Sequence, residues 1–174
     1  AYGKAIAGRP AFAEAHLNLG VALQAKGHGD AALECLRESV KLAPQLAAAH
    51  DKLAGILMHR GDIAGAIEAY RRVAELTPAS AQAYNTLGPA INGAGRVPEA
   101  VPCYERAIAL DPDFADGYHN LANALRRLNA PERALAYARR AIALRADTPS
   151  FHNNLGTILA DLGESDGALV CYRE

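Results

Sequence analysis

Two asparagines lie three residues apart in a stretch that otherwise has the composition of a helix. In residues 118–125, YHNLANAL, Asn120 and Asn123 interrupt an apolar stripe formed by Leu121, Ala122 and Leu125. Asparagine is a mediocre helix former, because its carboxamide competes for backbone hydrogen bonds. The same group offers a donor and an acceptor, so it can pair bidentately with a peptide group of an extended chain. The chemistry that these residues suggest is peptide binding.

The stretch recurs along the chain at a fixed spacing. Related segments follow one another at intervals of 34 residues: HLNLG at His16, HDKLA at His50, YNTLG at Tyr84, YHNLA at Tyr118 and HNNLG at His152. Later positions keep the same spacing, in an alanine column (Ala32, Ala66, Ala100, Ala134, Ala168) and a proline column (Pro10, Pro44, Pro78, Pro112). A fixed period of this length predicts a repeat architecture.

The pattern resembles the tetratricopeptide repeat: an aromatic-like residue, Leu-Gly three and four residues later, then Ala, Tyr or Phe, and Pro. The resemblance covers the whole chain, and it implies an all-α, right-handed superhelical solenoid of helix-turn-helix repeats. With position 1 placed at Ala13, the repeats occupy 13–46, 47–80, 81–114 and 115–148. Residues 1–12 are then the end of a partial repeat, and 149–174 form a truncated one.

Glycine and proline predict the helix boundaries. Each repeat divides into two helices of about 12–14 residues at a position that tolerates a left-handed backbone, occupied by Gly27, Gly61, Gly95, Asn129 and Gly163. The third repeat carries Pro89 and Pro102 inside its helices, where each removes an intrahelical hydrogen bond. We therefore expect the third repeat to be bent or weak.

The first helix of each repeat has two opposite faces. Positions 4, 7, 8 and 11 form the packed side, whereas positions 2, 5, 6, 9, 12 and 13 point the other way. In tetratricopeptide proteins, the resemblance implies, this second face lines the concave groove, and we call it the groove face. Its candidate peptide-binding residues are Asn18, Asp51, Lys52, Asn85, Thr86, Asn92, His119, Asn120, Asn123, Arg126, Arg127, Asn153 and Asn154.

The asparagines are similar to the asparagine ladder in the tetratricopeptide arm of O-linked N-acetylglucosamine transferases. The resemblance assigns the ladder to Asn18, Asn120, Asn123 and Asn154, and Lys52 and Thr86 interrupt it. Arg126 and Arg127, beside the ladder, are candidates to receive an acidic residue of a ligand or to meet solvent only. The alternative is that the asparagines are solvated surface groups, although Lys, Glu or Gln would serve that role with better helix propensity.

Composition and spacing argue against several other functions. The net charge of −1 and the pI of 6.7 disfavour a nucleic-acid binder, and no apolar run approaches the roughly 20 residues of a membrane span. Cys35, Cys103 and Cys171 lie two repeats apart, which predicts reduced thiols in a cytoplasmic protein. No histidine spacing predicts a metal site, and no cofactor is expected. With no nucleophile–base set, the chain is not expected to be an enzyme.

Three hypotheses remain open. The first is a protein-interaction scaffold that binds an extended peptide segment in its groove. The second is the non-catalytic, substrate-selecting arm of a glycosyltransferase or another transferase. The third is a self-assembling scaffold, because the partial repeats would expose complementary ends (Tyr2, Ala5 and Ile6 against Ala168, Leu169 and Tyr172) and associate head to tail.

Overall fold

The computed structural model describes residues 12–173, and within that range the chain is built of helices without a strand. Helices come in consecutive pairs, one pair for each predicted repeat. Their bounds are α1 (Ala13–Ala25), α2 (Gly29–Leu42), α3 (Ala47–His59), α4 (Ile63–Leu76), α5 (Ala81–Gly93), α6 (Val97–Leu110), α7 (Ala115–Arg127), α8 (Pro131–Leu144), α9 (Pro149–Asp161) and α10 (Ser165–Cys171). The prediction of an all-α repeat fold is confirmed. Tyr2, Ala5, Ile6 and Pro10 lie outside the described residues.

The chain divides into two compact units, Ala1–Pro78 and Ala79–Glu174. In each unit the two helices of a repeat pack together, and the second helix also contacts the first helix of the next repeat in that unit. The first helices of neighbouring repeats touch as well, namely α1 with α3, α5 with α7, and α7 with α9. This last contact places the groove faces of successive repeats side by side.

Left-handed residues end the first helix of each described pair. Gly27, Gly61, Gly95 and Gly163 have φ between 78° and 80°, and Asn129 takes the same place with φ 58°. Glycine and asparagine tolerate this conformation better than other residues do. The predicted positions of the turns between the two helices of a repeat are therefore confirmed.

Glycine at position 8 makes room for a large side chain on the second helix of the same repeat. A Cβ added at Gly88 would overlap the ring of Tyr104, which is only 1% exposed. A Cβ at Gly156 would come within 2.6 Å of Tyr172, and one at Gly20 within 2.8 Å of Leu36. Close packing of this kind locks the two helices of a repeat together.

Histidine at position 4 holds the loop that precedes its helix. Nε2 of His50 donates to the carbonyl oxygen of Pro44 at 3.1 Å, and Nε2 of His152 donates to that of Ala146 at 2.7 Å. Each acceptor lies six residues before its histidine, so the same contact fixes both turns. The His50 ring is buried and that of His152 is half-buried.

Both helices of the third repeat continue through their prolines. Pro89 lies within α5 and Pro102 within α6, and both rings are exposed. Each proline lacks the N–H of one intrahelical hydrogen bond, yet the helix bounds extend several residues to either side of it. The helices are therefore not interrupted, and local weakness of this repeat stays a prediction.

Candidate functional site

The predicted site residues all belong to the first helices of the pairs, which are α1, α3, α5, α7 and α9. These helices begin at position 1 of each repeat and end just before the left-handed residue. All five helices have 13 residues, so equivalent groove-face positions of neighbouring repeats lie at the same level along the helix axes. Residues 35 apart in sequence then face each other across two neighbouring first helices of the same unit.

The strongest polar contact on the groove face joins two predicted site residues. Nδ2 of Asn120 on α7 donates to Oδ1 of Asn85 on α5, at 2.9 Å. Asn85 is buried, at 9% exposure, and Asn120 is half-buried. This hydrogen bond gives the buried carboxamide oxygen of Asn85 a donor. Burying that oxygen without a donor would cost free energy.

The next pair of first helices repeats the contact with a backbone acceptor. Nδ2 of Asn154 on α9 lies 3.5 Å from the carbonyl oxygen of His119 on α7, at the limit of a hydrogen bond. Asn154 is 8% exposed. Asn85 and Asn154 were predicted as peptide-binding candidates of the groove face, and the structure shows that their side chains are mostly covered. Both are buried because neighbouring first helices pack against each other at these positions.

His119 is also drawn into the packing between repeats. Its ring stacks on that of Phe151, with centroids 4.8 Å apart. Burial lowers the pKa of His119, and the charge of Asp116 opposes that shift in part. The structure therefore places the imidazole of this groove-face candidate against the aromatic side chain of the next repeat.

The two arginines at the end of α7 are engaged by neighbouring repeats. Arg127 donates to the side chain of Asn92 on α5, and Arg126 forms an ion pair of 3.4 Å with Asp161 on α9. These contacts again join residues 35 apart. The side chains of Arg126 and Arg127 are thus already bonded to residues of neighbouring repeats. This argues against the prediction that they bind an acidic residue of a ligand.

Three carboxamides of the predicted site keep their hydrogen-bonding groups open. The side chains of Asn18, Asn123 and Asn153 form no hydrogen bond among residues 12–173, whereas the hydroxyl of Thr86 bonds the carbonyl oxygen of Gln82 in its own helix. Asn123 is half-buried, and the other two are exposed. Asn123 and Asn153 lie on α7 and α9, which also carry the paired Asn120 and Asn154, so the contacts between repeats hold the helix that presents Asn123.

The first unit has a cavity on its groove face where the second unit has hydrogen bonds. Asp51 and Lys52 form an ion pair of 3.0 Å on α3, and both line this cavity of about 490 Å³. Its other lining residues are Val21, Gln24, Ala25, Gly55 and Tyr70. Burial, and then the charge of Asp51, raise the pKa of the Tyr70 phenol.

Sequence reasoning missed several residues of this face. Asp161 shows no sequence signal, because position 13 has no common residue type: it holds Ala25, His59, Gly93, Arg127 and Asp161. Tyr70 belongs to the second helix of its repeat, α4, whereas the predicted groove face takes residues of the first helices only. The sequence does hold a signal for the position of Tyr70. A large residue at position 24 faces a glycine at position 8 in three other repeats, but Tyr70 faces Ala54.

No described group of three or more His, Cys, Asp or Glu side chains has the arrangement of a metal site. The three cysteines are half-buried thiols that form no disulfide within the described chain. Among the described helices, none combines the length and the apolar character that crossing a membrane requires.

Comparison with protein families identifies the repeat. Models described as tetratricopeptide repeat match residues 22–81, 114–148 and 149–174, and a model described as TPR repeat matches residues 94–129. The matches at 114–148 and 149–174 lie within a residue of predicted repeat bounds, whereas those at 22–81 and 94–129 span parts of two or more predicted repeats. A search of curated proteins found no match to the chain.

Solved structures share the fold. The MamA protein is 24% identical with a TM-score of 0.83, and the match covers 92% of this chain and 88% of that one. YrrB, described as a TPR protein with an unusual peptide-binding site, is 16% identical with a TM-score of 0.81 and coverage of 98% and 88%. A thermophilic TPR protein in Thermus thermophilus is 26% identical, with a TM-score of 0.69 and coverage of 93% and 89%.

Proposed function

We propose that this chain, which consists of tetratricopeptide repeats, binds an extended segment of a partner protein along its groove face. The observation that carries the proposal is the half-buried, unpaired carboxamide of Asn123 on α7. Neither polar atom of this carboxamide is among the fully buried atoms of the described residues, so both can be reached by a ligand. A peptide group of a bound segment would supply both the donor and the acceptor that this carboxamide lacks.

The neighbouring contacts favour a rigid binding face. Asn120 is fixed by Asn85, and Arg127 by Asn92, so the helix that presents Asn123 is held against α5. A face that is already ordered loses less entropy when a ligand binds. Main-chain recognition of this kind would accept many side-chain sequences in the partner.

The test separates recognition from stability. Affinity capture with the 174-residue chain identifies a partner, and calorimetry then measures the Kd of the shortest segment that binds. Asn123 and Asn153 are the residues to change, because neither side chain joins two repeats. We expect Asn123→Ala with Asn153→Ala to raise the Kd roughly thirty-fold, since each lost contact is worth about 1 kcal/mol.

Asn129→Gly is the control, because it removes a carboxamide from the turn after α7 and keeps the left-handed backbone that glycine accepts. It should leave the Kd unchanged. An unchanged Kd in the double variant would mean that Asn123 and Asn153 are solvated surface groups, and the proposed contact with the main chain of the partner would then be wrong.

The transferase-arm hypothesis stays an alternative. A tetratricopeptide arm selects substrates with the same groove face that the proposed function uses, so the binding experiment supports both. The solved structures named above are not described as transferases. Sequencing of the gene on either side of this segment decides between the two, since a catalytic domain there would favour the arm.

Self-association is a second candidate because α10 exposes apolar side chains. Leu169 is 54% exposed and Val170 59% exposed, and Tyr172 just beyond the helix is 47% exposed. Exposed apolar side chains in one place mark interaction surfaces. Sedimentation velocity should show association that grows with concentration and weakens in Leu169→Asp; a monomer at every concentration would exclude it.

A further inference from the structure

The residue types at two repeat positions, 8 and 24, explain the cavity of about 490 Å³ on the groove face of the first unit. In the repeats with glycine at position 8, the large residue at position 24 packs beneath that glycine, as Tyr104 does beneath Gly88. The repeat with Ala122 at position 8 compensates with Ala138 at position 24. Only the second repeat combines alanine at position 8, Ala54, with a tyrosine at position 24.

This mismatch explains where Tyr70 lies. Ala54 is fully buried, so its Cβ occupies the space that a ring in the pose of Tyr104 would need. Tyr70 instead lines the cavity with Asp51 and remains partly exposed, whereas Tyr104 is 1% exposed. The electrostatic influence of Asp51 on the phenol agrees with that position.

The cavity also lies where contacts between repeats are missing. In the second unit, residues 35 apart at positions 5 and 6, or 12 and 13, hydrogen-bond across neighbouring first helices. The matching pairs in the first unit are Leu17 with Lys52 and Gln24 with His59. Leu17 has no polar side-chain atom, and Gln24 and His59 are not hydrogen-bonded within the described residues. Neither of these position pairs therefore joins α1 to α3 on the groove face by a hydrogen bond.

We propose that this cavity binds an aromatic side chain of the partner segment, which rests on the proposed function. Tyr70 supplies a ring for stacking, and Val21 and Ala25 supply apolar contact. A Cβ added at Gly55 would meet nothing within 4 Å, so the floor of the cavity is open. The volume lies in the range of about 300–1,000 Å³ that is usual for ligand pockets.

The charges of the cavity select against an ionised side chain. Lys52 already neutralises Asp51, with 3.0 Å between them, so neither a cation nor an anion meets an unpaired opposite charge. The second oxygen of Asp51 accepts no hydrogen bond among the described residues. It is available to a phenol or to an indole N–H, which are the polar groups of aromatic side chains.

The probes for this proposal are single capped residues added to the intact chain. N-acetyl-tryptophanamide, N-acetyl-leucinamide, N-acetyl-argininamide and N-acetyl-aspartic acid amide are titrated separately, and the backbone amide signals of Asp51, Lys52 and Gly55 are followed by NMR. We expect saturable shifts with the tryptophan probe and a Kd roughly five-fold below those of the other three, which is the usual size of an aromatic-pair preference.

Two variants locate the binding. Gly55→Met fills the cavity and should abolish the shifts, whereas Gly93→Met, at another helical glycine with open space, should not change them. Ala54→Gly gives the ring of Tyr70 room to pack against α3, and it should raise the Kd of the tryptophan probe several-fold. Circular dichroism confirms that each variant stays folded.

The aromatic pocket is overturned if no probe shifts these amides, if a charged or leucine probe binds as tightly as the tryptophan probe, or if Gly55→Met binds the tryptophan probe unchanged. Such a failure, with partner affinity still dependent on Asn123 and Asn153, removes the pocket and leaves the proposed function standing. Loss of the asparagine dependence, with the pocket intact, removes the proposed function instead.

Discussion

At the scale of single residues, the contact between position 8 and position 24 controls how closely the helices of a repeat approach. The ring of Tyr104 fills the space that a Cβ at Gly88 would need, and it is almost fully buried. We predict that Gly88→Ala lowers the free energy of unfolding by about 1–3 kcal/mol, because the added methyl group forces the ring or the backbone to move. Urea denaturation measures this change.

Gly93→Ala is the matched control on the same helix. Its added Cβ meets nothing within 4 Å, and alanine is a better helix former than glycine by about 1 kcal/mol. It should therefore keep or raise stability. Equal effects of the two substitutions would show that the helix propensity of glycine, and not the ring of Tyr104, governs the result at position 88.

His119 gives the fold a pH dependence whose direction follows from its surroundings. Burial against Phe151 lowers its pKa below the usual value of about 6.5, so the unfolded chain takes up a proton more readily. This residue's contribution to stability is complete above pH 6.5 and decreases as the pH falls from there towards the folded pKa.

Replacement by phenylalanine isolates the contribution of His119 from those of the other histidines. His119→Phe keeps an aromatic ring against Phe151 and removes the titration. We predict that the melting temperature falls less between pH 7.5 and pH 5 in the variant than in the unchanged chain. Identical falls would assign the pH dependence to other groups.

At the scale of elements, hydrogen bonds between residues 35 apart join the first helices of neighbouring repeats. Asn120→Ala leaves the buried Asn85 carboxamide without its donor, which should cost about 1–3 kcal/mol of stability. Removing both partners should cost less than the sum of the single changes. A double-mutant cycle on Asn85 and Asn120 measures that coupling, and additive costs would show that the hydrogen bond does not hold α5 against α7.

The helices themselves could be predicted from the sequence, because local rules determine them. The 34-residue period, the left-handed glycines and Asn129 place the turns within the repeats correctly. The pairing of side chains across helices was less accessible. Helical periodicity predicts which face Asn154 occupies, but how deeply it is buried depends on how closely α7 and α9 approach.

At the scale of the whole molecule, one repeat template gives two units with different groove faces. The second unit closes its first helices together with Asn120, Arg126, Arg127 and Asn154, while the first unit leaves a cavity beside Asp51 and Lys52. Periodicity treats equivalent positions as equal, so the difference was not predicted. It comes from particular substitutions, such as Leu17 at position 5 and Ala54 at position 8.

Binding along the groove face is the central claim, and an amide hydrogen-exchange footprint with the captured partner segment tests it most directly. The account predicts added protection in the first helices, with residues 119–127 of α7 and 153–161 of α9 included, and little change in α6 and α8. Protection confined to α6 and α8, with α7 and α9 unaffected, would contradict it.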